Sequence, residues 1–338
     1  KTSLISLCCA VLLRPLAMLD LGDDGAKAMG VRIVRLRIVV LALAVALSAV
    51  VTSAVGVIGF IGLVSPTICR LAGARRPGEL MIWSTITGAI LLLIADEAVQ
   101  YFSGALSDFL PTGAVTAIFG SPLLLLLLPR LKLRHGPVRT AEPAAHRVAP
   151  RNLLPCVIMA MAAAVVIALF LGRSLDGGWT WLGGEFIHDL LPLRAPKVLA
   201  ALASGAMLAV AGVILQRLTG NEMASPEVLG VSAGATLGMC AALFPLASPG
   251  LVSQTPFAAA GALAVLIAIF LFAARSGFAA ERVLLAGIAL GAMVDAVVGV
   301  LTATGDPRAL LLMRWMSGST YGVEWTSATT MLVAAVAL

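Results

Sequence analysis

Long stretches of this 338-residue chain carry no charge. Leu110 to Pro129 (20 residues), Asn152 to Gly172 (21) and Val198 to Gln216 (19) are each uncharged throughout. About 20 apolar residues in a helix cover a hydrocarbon core of about 30 Å, so each run predicts one membrane crossing. Two runs exceed a single helix. Val228 to Ala274 has 47 uncharged residues, broken by Pro245, Pro249 and Pro256, and reads as two spans with a short loop between them. Ile38 to Cys69 has 32, and Gly56, Gly59, Gly62 and Pro66 predict a turn near Gly56 followed by a short or irregular second span. Non-helical backbone at that depth requires protein or a watery cavity around it.

Leu80 to Ala95 (extending to about Gln100) and Arg282 to Ala303 complete the full crossings. The runs 3–13 and 325–338 read as truncated ones. The expectation is an all-α polytopic bundle of nine full and two partial spans, a piece of a longer polypeptide. Composition agrees: 60% of residues are apolar, 12% are charged and the mean hydropathy is +1.03, against about 25% charged residues in a soluble domain.

The net charge of +6 is unevenly placed. With alternating spans and 20–37 on the cytoplasmic side, 17 of the 23 basic residues fall on that side and 6 on the other. This is the positive-inside asymmetry of a membrane protein, not the footprint of a nucleic-acid binder. One linker stands out. Arg130 to Arg151 holds six basic residues, Glu142 as its one acid, and Pro137, Pro143 and Pro150. Such a stretch buries no core. The division expected is residues 1–132, a basic cytoplasmic linker at 133–150, and residues 151–338. Cys8, Cys9, Cys69, Cys156 and Cys240 lie singly or adjacent in apolar segments without a C-x-x-C pair and read as buried packing residues. His135, His146 and His188 are isolated, so no metal cluster is visible.

Four stretches carry more than composition. Asp20-Leu21-Gly22-Asp23-Asp24-Gly25-Ala26, running on to Gly30, reads as a short capped helix outside the membrane, with acids at its start and glycine at its end. The second stretch is Gly59-Phe-Ile-Gly62-Leu-Val-Ser-Pro66-Thr-Ile-Cys-Arg70. The third is Pro111-Thr-Gly113 through Gly120-Ser-Pro122. The fourth runs from Arg194 and Lys197 through Gln216 to Asn221, Ala224, Pro226, Gly230 and Gly234. Within it, Ser225 suits a helix cap, Pro226 the first helical position and Glu227 the positive helix end.

Together these motifs resemble the permease family of ATP-binding-cassette importers for iron siderophores and vitamin B12. Residues 1–132 resemble the second half of such a permease and 151–338 the first half of another, an order matching the tandem permeases of ferric hydroxamate importers. The resemblance implies ten spans per unit, no catalytic residue and no cofactor. It also implies location in the bacterial inner membrane, two copies of a cytoplasmic ATPase and a periplasmic siderophore-binding protein. Asp20 to Gly30 would be the ATPase-coupling loop, and Arg194 and Lys197 would receive acidic side chains of the binding protein. Asp96 also matches the family pattern. The chain departs from it at Thr67 (commonly His), Glu222 (commonly Pro), Gln100 and Phe109 (near a usual Arg and Glu).

The sequence has no G-x-x-x-x-G-K-[ST] loop, so energy must come from a partner or an ion gradient. An ion-coupled secondary transporter is therefore the rival reading, with Asp295 as its best intramembrane carboxylate.

Overall fold

A computed structural model describes residues 28–30, 32–74, 76–103, 116, 150–173, 178–181, 183, 186–221, 224–227, 230–244, 254–274, 287, 290–291, 293–294, 297–298, 300–301, 306–320 and 322–336. They form helices α1 (Ile33–Val55), α2 (Ile61–Leu71), α3 (Pro77–Ser103) and α4 (Pro150–Phe170). A two-stranded hairpin follows, β1 (Leu171–Arg173) and β2 (Trp179–Trp181). Then come α5 (Phe186–Thr219), α6 (Val231–Leu243), α7 (Gln254–Ala274), α8 (Pro307–Met316) and α9 (Trp325–Val336). Helical residues also recur between 287 and 301. The strands pair antiparallel, with Gly172 opposite Thr180.

Helix lengths follow the uncharged runs with two informative differences. The 38–69 run breaks where its glycines lie: α1 stops at Val55, Gly56 takes φ 79°, and 56–60 run non-helically into α2. α5, by contrast, starts twelve residues before its uncharged run and contains Arg194, Lys197, Pro192 and Pro196. Three helices are long and apolar enough to cross a membrane (Ile33–Val55, Pro77–Ala98 and Ile187–Thr219), and several others are shorter. The spans that fall on 104–149, apart from Thr116, lie outside the described residues, as does the segment 1–27.

Printed contacts orient the bundle. Arg70, ending α2, donates to Gln216 near the end of α5, so both helices run toward one end, here the basic end, where Arg217 also lies. α3 leaves that end and carries Asp96 to the opposite one, where Thr320 donates to it. Ser319 N–H there donates to Val55 O at the end of α1 (2.6 Å), so the start of α1, with Arg32, Arg35 and Arg37, faces the basic end. α8 lies across the opposite end. It is capped by Asp306, and its Arg308 reaches the carbonyls of Leu243 (3.3 Å) and Phe244 (3.2 Å) at the end of α6.

The core joins helices from either side of residues 133–149. α5 is the hub, packing on α1, α2, α3 and α9, while α7 packs on α6 and α1. Met207, Leu208, Ile214 and Leu215 of α5 share one buried cluster with Val40, Val51, Leu92 and Leu93. Several outward side chains are apolar too. Leu263, Ile267 and Leu271 of α7 form an exposed ridge at helical spacing, and Ile158 and Met159 of α4 are exposed too. Large contiguous apolar surface of this kind suits lipid, not water. Cys156 corrects an expectation: it is exposed on α4, not buried, because an apolar helix facing lipid gains nothing by hiding a small apolar side chain. Cys69 is buried as expected, 3.4 Å from Thr87 Oγ1.

A prediction follows from the shared core. Cutting the chain with a protease site placed between residues 133 and 149 will leave two pieces that co-migrate in mild detergent. Pieces that separate on size exclusion would contradict the packing of α5 on α1–α3.

Candidate functional site

The motif residues converge where α2 crosses α5. Gly62 and Gly212 meet backbone to backbone. A Cβ on Gly62 would lie 2.8 Å from Leu208 O and 2.9 Å from Pro226 Cδ, and one on Gly212 would overlap the Gly62 carbonyl. Pro66 explains why that carbonyl is available. Proline has no N–H, so the bond that residue 66 would make to the carbonyl of residue 62 is missing, and the Gly62 oxygen faces the neighbouring helix instead. Such small-residue contacts hold membrane helices where no hydrophobic force separates helix from lipid.

At the basic end of the crossing, Arg70 Nη2 donates to Gln216 Oε1. Gln216 is buried and its Nε2 has no hydrogen-bond partner. Sequence reasoning named both residues but not their pairing, since 146 positions separate them. Thr67, at the position where His is common, turns its hydroxyl back on Leu63 O (2.8 Å) and is buried. It therefore serves its own helix, as Thr often does in apolar surroundings.

The loop from α5 to α6 carries the rest of the fourth motif. Asn221 N–H donates to Thr219 Oγ1 (3.2 Å), and Ala224 N–H to Asn221 O (3.1 Å). Ala224, Ser225 and Pro226 are buried. Gly230 is the N-cap of α6 at φ 73°, close to the Gly287 backbone. Gly234 packs on the Gly261 carbonyl and Val265 of α7. Gly59, though in the motif, has open space around it.

At the opposite end, Asp96 is buried and accepts from Thr320. Arg194 is half-buried and its Nη1 donates to Leu171 O (2.6 Å), tying α5 to the hairpin, while the Glu97 carboxylate acts on it through space. Lys197 lies one helical turn away, also half-buried. Trp325 Nε1 donates to Pro192 O (2.9 Å) in the same region. Of the 20–30 stretch, Ala28, Met29 and Gly30 are described; all three are exposed, and Gly30 takes φ 81° just before α1. Asp20, Leu21, Gly22, Asp23 and Ala26 lie outside the described residues, as do Pro111, Gly113, Gly120, Pro122, Glu222, Phe109 and Asp295.

The model of the FecCD transport family matches this chain twice, over residues 2–130 and 156–338. The chain belongs to the FecCD transport family. Among its FecCD relatives, the iron(3+)-hydroxamate import system permease protein FhuB of Escherichia coli is 40% identical over 316 residues. That alignment covers 92% of this chain and 47% of the relative. FhuB of Salmonella typhimurium is also 40% identical, over 92% of this chain and 45% of its own length. The vitamin B12 import system permease protein BtuC of Vibrio cholerae is 39% identical over 167 residues, 47% of this chain and 49% of that protein. The chain thus spans about half the length of these curated relatives. As a FecCD protein with apolar, lipid-suited helices it is a membrane transport protein.

Proposed function

We propose that this chain forms part of the permease of an ATP-binding-cassette importer that carries ferric hydroxamates from the periplasm across the bacterial inner membrane. The observation that carries this reading is the match to FhuB along 92% of the chain. The double family match on either side of a basic, proline-rich stretch supports a tandem arrangement. In it, residues 1–132 end one ten-span unit, 133–150 connect, and 151–338 begin the next. Nine full and two partial spans would then fall within this chain. The partners are two copies of a cytoplasmic ATPase and a periplasmic siderophore-binding protein.

In this reading Asp20 to Gly30 enters the ATPase groove. The exposed Gly30 and the arginine-rich start of α1 favour a placement at the basic end. Arg194 and Lys197 sit at the other end and meet acids of the binding protein. Charges at such a contact raise the encounter rate more than the final affinity. Lys197→Glu is therefore expected to slow association of the binding protein by roughly tenfold at low salt, with a smaller change at high salt. Stopped-flow association at two ionic strengths checks this, and a salt-independent rate for the unsubstituted protein would argue against the docking role.

The test of the whole reading is uptake of an iron-loaded hydroxamate into proteoliposomes holding the full-length permease and its ATPase, with binding protein outside and ATP inside. ATP-dependent accumulation is expected. Accumulation driven by a proton or sodium gradient without ATP would replace this reading with an ion-coupled carrier.

A further inference from the structure

The end of α4 marks a level in the membrane. α4 holds 21 residues, and Arg151 is the last charge before its uncharged run. At about 1.5 Å per residue the helix is about 31 Å long, matching a hydrocarbon layer of about 30 Å. From residue 155 to 170, Ala168 is the one buried side chain, while Ile158, Met159, Val166 and Ile167 are exposed. Lipid is the solvent that suits an apolar helix exposed on nearly every side. Phe170 then passes the chain directly to β1, so the β1–β2 hairpin begins where the hydrocarbon ends.

Two hydrogen bonds hold the hairpin and a further tryptophan at this level. Leu171 O accepts from Arg194 Nη1 (2.6 Å), and Trp325 Nε1, opening α9, donates to Pro192 O (2.9 Å). Pro192 and Arg194 belong to one turn of α5, so the hairpin and the start of α9 both meet that turn. Arg194 stands about 33 Å along α5 from Gln216, at about 1.5 Å per residue, which returns the thickness that α4 gives.

The hairpin presents a narrow chemistry. β2 is Trp179-Thr180-Trp181, exposed at all three positions. Alternate residues of a strand share a face, so the two indoles project together and Thr180 projects to the other side. Trp181 is 63% exposed and Trp179 40%. An indole joins a broad apolar ring to one N–H donor, and the layer that accommodates both is the boundary between acyl chains and phospholipid headgroups. β2 carries no charge, so it offers the acids of a docking protein nothing to pair with.

We propose that the β1–β2 hairpin is a membrane-interface anchor, seating Trp179 and Trp181 in the headgroup–carbonyl layer of the leaflet opposite the basic end. Continuity with the exposed apolar surface of α4 commits the occupant to phospholipid. The seat does not depend on what is transported.

The test is tryptophan quenching in the full-length permease, reconstituted in phosphatidylcholine liposomes. The hairpin signal is the emission lost in the double variant Trp179→Phe/Trp181→Phe, which keeps an aromatic ring at each exposed position. Lipids brominated near the carbonyls are expected to quench that signal at least about twofold more than lipids brominated at mid-chain. Equal or stronger quenching from mid-chain would overturn the interfacial seat. Quenching by aqueous iodide but by neither lipid would put the hairpin in water and overturn it. Quenching by none of the three would mean that the rest of the permease covers this face, which also overturns it. Iodide quenching relieved on adding the periplasmic binding protein would assign the face to that protein instead of lipid. Were the double variant not to assemble, Trp179→Phe and Trp181→Phe taken singly give the same difference, one indole at a time.

Discussion

Leucine at position 212 will stop this chain from assembling into a stable bundle, and alanine there will weaken it. A Cβ on Gly212 falls on the Gly62 backbone, and backbone does not rotate aside as a side chain does. Overpacking of this kind costs about 1–3 kcal/mol for small additions and more for large ones. For Gly212→Ala the expected drop in thermal midpoint is roughly 3 °C, at about 1.4 °C per kcal/mol for a chain of this length. Gly62→Ala should behave alike, because Leu208 O and Pro226 wait on its other side. Gly59→Ala is the control: it lies in the same motif with open space around it and should change stability by no more than about 0.5 kcal/mol. Midpoints measured on the purified protein in lipid nanodiscs check the series. A Gly212→Leu protein as stable as the control would show that α2 and α5 do not touch here.

Asp96 gives the second large effect. It is buried at the end of α3 and accepts from Thr320, which lies beyond α8 and 224 residues along the chain. Asp96→Ala strands a buried hydroxyl and removes a charge-assisted bond, an expected loss of about 2 kcal/mol. Asp96→Asn keeps an acceptor and should lose less than about 1 kcal/mol. A double-mutant cycle with Thr320→Val should give a coupling of about 1–2 kcal/mol, and additive losses would mean that the two residues act separately.

Much of the architecture was legible because lipid imposes one rule on sequence, that a span must exclude charge for its whole length. The uncharged lengths located α4 and the body of α5, and the glycines of an overlong run located the break at Gly56. The same rule hid the first third of α5. Arg194 and Lys197 cut the uncharged window, yet the helix continues through them because Arg194 finds Leu171 O at the hairpin. Pro192 and Pro196 also read as breakers, and the helix passes them. The candidate site was legible as a set of residues but not as an arrangement. Gly62 with Gly212 and Arg70 with Gln216 pair across 146 positions or more. Periodicity reports which face a residue occupies along its own helix and says nothing about which distant helix meets it.

α2 has one more consequence. It is eleven residues long, pressed near its start against Gly212 and Pro226 through Gly62, and tied at its far end to Gln216 through Arg70. A rod of about 16 Å held at both tips behaves as a strut. It has no slack in which to absorb a displacement. A push of a few ångströms delivered at Arg70 must either break these contacts or arrive undiminished at Gly62, so this short helix is a mechanical link between the basic end of the bundle and its packed interior.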